Sequence, residues 1–137
     1  MTIPSRLRRQ VVERACGRCE YCSLSQEGQE ATFHVDHVVP IAVDGPTTLD
    51  NLALACVSCS LRKGARQIAP DPQTGADAPL FNPRRDVWWT HFRWKGACIV
   101  GLTPTGRATV VALNMNRPLA QALRAEKIYR HPPSIDS

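Results

Sequence analysis

Two Cys-x-x-Cys pairs constrain this chain more than any other feature of its sequence: Cys19 with Cys22, and Cys56 with Cys59. Two residues between cysteines let both sulfur atoms turn toward one point, about 2.3 Å from a zinc ion. Two such pairs complete a tetrahedron, which is the closed arrangement of a structural site, so the pattern predicts one bound Zn²⁺. The alternative, a redox dithiol, needs a thioredoxin-like βαβ context that the sequence lacks.

The first pair is ambiguous, because Cys16 and Cys19 form an overlapping Cys-x-x-Cys. Spacing alone does not choose between Cys16 and Cys22; if Cys16 is the spare cysteine, we expect it to be a buried thiol at the end of the first helix. Cys98 lies in an apolar segment and is interpreted as a small core residue.

Length and composition limit the number of domains, the cellular compartment and the kind of partner that this chain can have. The chain has 137 residues, which fits one domain with an appended subdomain, and no stretch approaches the roughly 20 apolar residues of a membrane helix. Its N-terminus does not resemble a signal peptide, so we expect a cytoplasmic protein with reduced thiols. The formal charge of +5 favours a polyanionic partner such as nucleic acid, although an ordinary basic surface would give the same value.

Between the cysteine pairs, two histidines and an aspartate share four positions: His34, Asp36 and His37. Hydrolysis of a phosphodiester needs a base for water and a cation near the scissile phosphate. Histidine titrates near neutrality, so His37 is a candidate general base, and Asp36 is a hard oxygen ligand suited to Mg²⁺ or Mn²⁺. Because neighbouring strand residues point to opposite faces, Asp36 and His37 must lie at a bend to serve one site.

These motifs resemble the HNH endonuclease family. Asp36-His-Val-Val-Pro40 is followed by Asp50-Asn-Leu, by the second cysteine pair and by Lys63-Gly64, and the later segments 80–84 and 101–109 resemble the tail of a stand-alone bacterial subgroup. The resemblance implies an α+β fold: a ββα-metal core with a structural four-cysteine zinc site and a C-terminal hairpin-helix extension. It also implies that the zinc ligands are Cys19, Cys22, Cys56 and Cys59.

Carried over by position, the resemblance makes His37 the general base, Asp36 a ligand of the catalytic divalent ion, and Asn51 the residue that braces the loop holding His37. The family usually has His or Asn directly after the last zinc cysteine, where this chain has Ser60. A serine hydroxyl is a weak ligand that could hold a metal-bound water. His34 could take its place, or could be a strand residue bonded to a backbone carbonyl.

The resemblance implies a metal-dependent DNA endonuclease. The basic residues after the second cysteine pair could contact DNA phosphates or form a solvated helix face: Arg62, Lys63 and Arg66. The departure at Ser60 motivates a rival, a non-catalytic zinc-stapled DNA-binding module with a degenerate HNH site. A zinc-ribbon protein-interaction domain is a third hypothesis, which leaves Asp36 and His37 unexplained.

The remaining expectations concern secondary structure and domains. Residues 1–69 are assigned to the nuclease core, 70–83 to an irregular connection rich in proline, and 84–137 to a hairpin and helical extension packed on the core. The pattern predicts a first helix capped by Ser5, a hairpin with Lys95-Gly96 at its turn, and a helix capped by Thr103. The predicted elements are helices 5–15, 57–67, 103–113 and 116–129, and strands 32–39, 88–94 and 98–102; residues 52–55 form a short apolar run.

Overall fold

The computed structural model describes residues 3–130. Its mixture of helices and short antiparallel strands confirms the expected α+β class. The elements in chain order are α1 (Ser5–Arg14), β1 (His34–His37), β2 (Leu52–Ala55), α2 (Val57–Lys63), β3 (Ile68–Pro70), β4 (Asp77–Pro79), α3 (Trp88–His91), β5 (Phe92–Lys95), β6 (Cys98–Gly101), α4 (Pro104–Ala112) and α5 (Pro118–Arg130).

A ββα unit lies at the centre of the described structure. β1 pairs antiparallel with β2, with His34 opposite Ala55 and His37 opposite Leu52, and β2 leads directly into α2. Every residue of β2 is buried, because α1 and α2 both pack against it. α2 ends at Lys63, before the predicted end at Gln67, because the C-cap residue Gly64 has a positive φ of 52° that interrupts the helix.

α1 is fastened to this unit by its last residue. Arg14 donates hydrogen bonds from its guanidinium to the carbonyl oxygens of Leu49, at 2.7 Å, and Leu52, at 2.6 Å. The helix also buries Val11 completely. The expected cap by Ser5 is wrong, since Pro4 occupies the N-cap position and no side chain caps the helix.

The segment expected to be irregular contains a second hairpin, so that part of the prediction is wrong. β3 pairs antiparallel with β4, and the buried carboxylate of Asp71 organises the turn. Asp71 accepts hydrogen bonds from Gln73 N and Thr74 Oγ1, and it receives a bidentate pair of bonds from Arg107 on α4. The strands have three residues each and end in proline, so they show no alternation of polar and apolar residues.

The third hairpin is partly as predicted. The two strands pair as a hairpin, but the turn residues are Gly96 and Ala97, because Lys95 pairs with Cys98 in the ladder, and residues 88–91 form the short helix α3 rather than a strand. The indole of Trp88 donates to the carbonyl oxygen of Tyr21 at 2.9 Å and packs beside Phe92 and Trp94, so tertiary contacts decide its conformation. The cap of α4 is confirmed, since Thr103 Oγ1 accepts from Gly106 N.

One continuous apolar core joins the segments on both sides of the expected boundaries, with Val11, Leu52, Phe81, Phe92 and Leu113 in the same cluster. The buried side chain of Arg124, on α5, links the N-terminal and C-terminal segments of the chain. Its guanidinium donates to the carbonyl oxygens of Cys22, Ala97 and Met115 and lies 5.5 Å from the Trp94 ring. No helix within residues 3–130 is long and apolar enough to span a bilayer.

Candidate functional site

The four cysteines of the two pairs converge on one point. All four are buried, and their sulfur atoms lie within 4.8 Å of one another. The sulfur atoms of Cys22 and Cys56 are 3.7 Å apart, which matches the edge of about 3.8 Å in a tetrahedron with metal–sulfur bonds of about 2.3 Å. In each pair the backbone N–H of the second cysteine donates to the sulfur of the first. The distance is 3.5 Å from Cys22 N to Cys19 Sγ and 3.4 Å from Cys59 N to Cys56 Sγ. The cluster therefore fits a structural zinc site.

The other cysteines lie outside this cluster. Cys16 follows α1 with a positive φ of 54° and is exposed, so the ambiguity is resolved in favour of Cys22, and the expectation of a buried spare thiol is wrong. Cys98 is half-buried in β6 rather than a full core residue. Arg117, which no sequence pattern indicated, lies with its Nη2 3.8 Å from the sulfur of Cys56 and brings a positive charge to the thiolates.

β1 and α2 bring a second polar cluster together beside the zinc site. His34 and Asp36 lie two residues apart on one face of β1, and Ser60 and Lys63 lie three residues apart on α2. His34 Nδ1 is 2.9 Å from Ser60 Oγ, and Asp36 Oδ2 is 3.1 Å from Lys63 Nζ. The two positions that the sequence offered as alternative metal ligands, His34 and Ser60, are therefore hydrogen-bonded to each other.

Asp36 combines burial with an available oxygen. Its side chain is 16% exposed, and burial raises the pKa of the carboxyl group while the Lys63 ammonium opposes that rise. Its buried Oδ2 has the ion pair with Lys63 but no well-aligned hydrogen bond from the described residues. A partly desolvated carboxylate with a free lone pair is suited to a hard divalent cation such as Mg²⁺ or Mn²⁺.

The position of Lys63 contradicts the expectation that Arg62, Lys63 and Arg66 all contact DNA phosphates. Its side chain is 3% exposed, and its ammonium also donates to the carbonyl oxygen of His37 at 3.1 Å, so it cannot lie on a phosphate-binding surface. It turns inward because Asp36 and that carbonyl together satisfy a charge that is otherwise rarely buried. Arg66 is exposed but donates to the carbonyl oxygens of Arg62 and Ala112.

His37 occupies the last position of β1, and the chain bends immediately after it. Its Nε2 lies 2.9 Å from the hydroxyl oxygen of Thr47, a residue of the following loop that the sequence analysis missed. The structure places both Asp36 and His37 inside β1, where they pair with Ala53 and Leu52, so the bend that was expected at the pair is wrong: the chain bends only after His37.

Asn51 holds that loop closed. Its amide exchanges hydrogen bonds with the backbone of Val39, accepting from the N–H at 2.9 Å and donating to the carbonyl at 3.0 Å, and it also donates to the carbonyl of Pro46. Gly45 is required in the same loop, because a Cβ there would lie 1.7 Å from the Val39 carbonyl oxygen. The three hydrogen bonds of Asn51 therefore tie the backbone of Val39 and Pro46 together within this loop.

Comparison with known proteins agrees with this geometry. Residues 19–66 match the model of a protein family described as HNH endonuclease. The matched segment contains both cysteine pairs, the ββα unit and the polar cluster between β1 and α2. No curated protein and no solved structure matches the chain.

Proposed function

We propose that this protein is a metal-dependent endonuclease that hydrolyses the phosphodiester backbone of DNA, because residues 19–66 match the HNH endonuclease family. The observation that carries the proposal is the arrangement at the end of β1. A buried carboxylate, Asp36, precedes a histidine, His37, that is oriented by Thr47 in a loop closed by Asn51. A packing role alone would not need a titratable base and a partly desolvated acid at adjacent positions.

In this proposal His37 is the general base. A proton on Nε2, donated to the Thr47 hydroxyl at 2.9 Å, leaves Nδ1 with a free lone pair that can accept a proton from the attacking water. Thr47 sets the ring orientation, and Asn51 sets the position of Thr47 through the loop. The expected role of Asn51 is therefore to position the base, not to touch the substrate.

Asp36 and His34 are proposed as the protein ligands of the divalent ion. His34 Nδ1 lies 2.9 Å from Ser60 Oγ, and in the tautomer whose Nδ1–H donates to that oxygen the free lone pair of the ring is on Nε2. His34 and Asp36 share one face of β1. Ser60 then orients the ligand instead of binding the ion. A bound Mg²⁺ or Mn²⁺ supplies positive charge that stabilises the departing 3′ oxygen.

Two observations favour a non-catalytic DNA-binding module as the second candidate. The Lys63 ammonium lies 3.1 Å from Asp36 and neutralises it without a metal ion, and Ser60 stands where the family usually has His or Asn. A chain that had lost its metal could keep the same fold through this ion pair.

Cleavage of supercoiled plasmid with Mg²⁺ or Mn²⁺ separates the two candidates. The wild type should nick or cut the plasmid, and His37→Ala should lose about 10²–10⁴ in rate while keeping its zinc and its circular dichroism spectrum. Cys16→Ser, an exposed change away from the site, is the control. A wild type that binds DNA but is inert with every divalent ion would refute the enzyme and support the binding module.

Mn²⁺ affinity, measured by electron paramagnetic resonance, tests the ligand assignment independently of activity. His34→Ala should weaken binding of the ion strongly, whereas Ser60→Ala should weaken it only modestly because the ring keeps its lone pair. If Ser60→Ala abolishes Mn²⁺ binding while His34→Ala leaves it unchanged, Ser60 is the ligand and the assignment is reversed.

A further inference from the structure

The basic run of Arg62, Lys63 and Arg66, at the end of α2 and just after it, contributes less free positive charge than the sequence suggests. Lys63 is buried against Asp36, and Arg66 donates to the carbonyl oxygens of Arg62 and Ala112. Arg62 is thus the remaining exposed cation of the run with no side-chain hydrogen bond or ion pair among the described residues. A single cation binds a polyanion only weakly, so a phosphate-binding surface needs cations from another part of the protein.

α1 carries the densest group of uncommitted arginines. Arg6, Arg8 and Arg9 are all exposed, and within residues 3–130 none of their side chains forms an ion pair or hydrogen bond. At 100° per residue, Leu7 and Val11 point toward the core and the three arginines spread over the outward half of the helix. Glu13 is the single acidic residue of α1, so this surface is strongly positive.

The position of α1 links this surface to the proposed active site. Arg14, at the C-terminal end of the helix, bonds the carbonyl oxygen of Leu52, and Leu52 is the β-ladder partner of His37. Arg14 also bonds Leu49, in the turn that leads to Asn51. The helix is therefore held in a fixed relation to the strand and loop that present His37.

We propose that the outward surface of α1, formed by Arg6, Arg8 and Arg9, binds the phosphate backbone of the DNA that flanks the cleaved bond. The inference rests on the proposed function for the identity of the polyanion. Guanidinium groups bind phosphate oxygens in bidentate geometry, and such contacts set the register of the DNA without reading its sequence. Arg6 lies eight residues before Arg14, about 12 Å along the helix axis, which spans three to four nucleotides at about 3.4 Å each.

The salt dependence of DNA binding tests this surface. The variant Arg6→Gln/Arg8→Gln/Arg9→Gln is compared with a control that removes three charges from exposed residues elsewhere: Arg85→Gln/Arg93→Gln/Lys95→Gln. Affinity for a labelled duplex is measured by fluorescence anisotropy with Ca²⁺, between about 50 and 200 mM salt. Each lost phosphate contact should reduce the slope of log K against log salt by about 0.9, so the α1 variant should lose about two to three and the control less than about one.

The outcomes distinguish this inference from the proposed function. If the wild type binds no DNA, the proposed function fails and the inference fails with it. If the wild type binds and the two triple variants have equal slopes, the α1 surface is refuted, because net charge alone explains the loss. The single change Arg9→Gln, checked by its melting temperature, should reduce the slope by about one and keeps the test valid if the triple variant does not fold.

Discussion

Replacing Lys63 with methionine removes the positive charge from a largely buried ion pair and keeps most of the side-chain volume. In the wild type the ammonium lies 3.1 Å from Asp36 Oδ2 and 3.1 Å from the carbonyl oxygen of His37, with side-chain exposures of 3% for Lys63 and 16% for Asp36. The substitution therefore leaves a largely buried carboxylate without its counter-ion and a backbone carbonyl without its donor.

The structure sets the size of the expected effect. Removing one partner of a buried ion pair costs about 3–5 kcal/mol. Because the pKa of Asp36 is already raised by burial, the carboxyl group can relieve part of this cost by taking up a proton. We therefore expect the lower end, about 3 kcal/mol of unfolding free energy, or roughly a 10 °C fall in Tm for a chain of this size.

Urea unfolding at neutral pH in buffer free of divalent ions measures this effect. Lys95→Met, at an exposed lysine of the β5–β6 hairpin, is the control and should stay within about 0.5 kcal/mol of the wild type. In the double variant Asp36→Asn/Lys63→Met the loss should be about 2 kcal/mol smaller than the sum of the single losses. A Lys63→Met cost below about 1 kcal/mol, or full additivity in the double variant, would refute this account of Lys63.

Three further predictions follow from other parts of the structure. Cys22→Ser should lose the zinc and unfold the protein, whereas Cys16→Ser should keep both; elemental analysis with circular dichroism checks this, and zinc retained by Cys22→Ser would contradict the ligand set. Asn51→Ala should cost about 1–3 kcal/mol and speed amide exchange in the loop 38–51, because buried backbone groups lose their partners; unchanged protection there would show that the loop closes without Asn51. Hydrogen bonds from Arg107 hold the pKa of Asp71 well below its ordinary value, so the stabilisation is complete above the unfolded pKa of about 3.9 and is lost as the pH falls toward the folded pKa. Urea titrations between about pH 2 and 6 should show this acid-limb slope in the wild type but a flatter one in Asp71→Asn, and equal slopes would exclude Asp71 as its source.

Features that depend on spacing or on immediate neighbours could be predicted from the sequence. The spacing of two residues between paired cysteines predicts a four-cysteine site with Cys19, Cys56 and Cys59, and the cap of α4 follows from Thr103 before Pro104. The choice of Cys22 over Cys16 came from the family resemblance, and the cysteine cluster of the structure agrees with it. The adjacent pair Asp36-His37 identified the candidate site before any contact was known. Each of these depends on geometry within a few residues, which local chemistry specifies.

Only the tertiary structure decided which side chains meet across the site. The contacts of His34 with Ser60 and of Lys63 with the His37 carbonyl each join residues 26 positions apart. Lys63 therefore looked like a surface cation in sequence but is an internal counter-charge in the fold. Thr47 was equally inconspicuous, because it reaches His37 only when Asn51 closes the loop. Such partners depend on how β1, β2 and α2 pack around the cysteine cluster, and local sequence patterns carry no information about that packing.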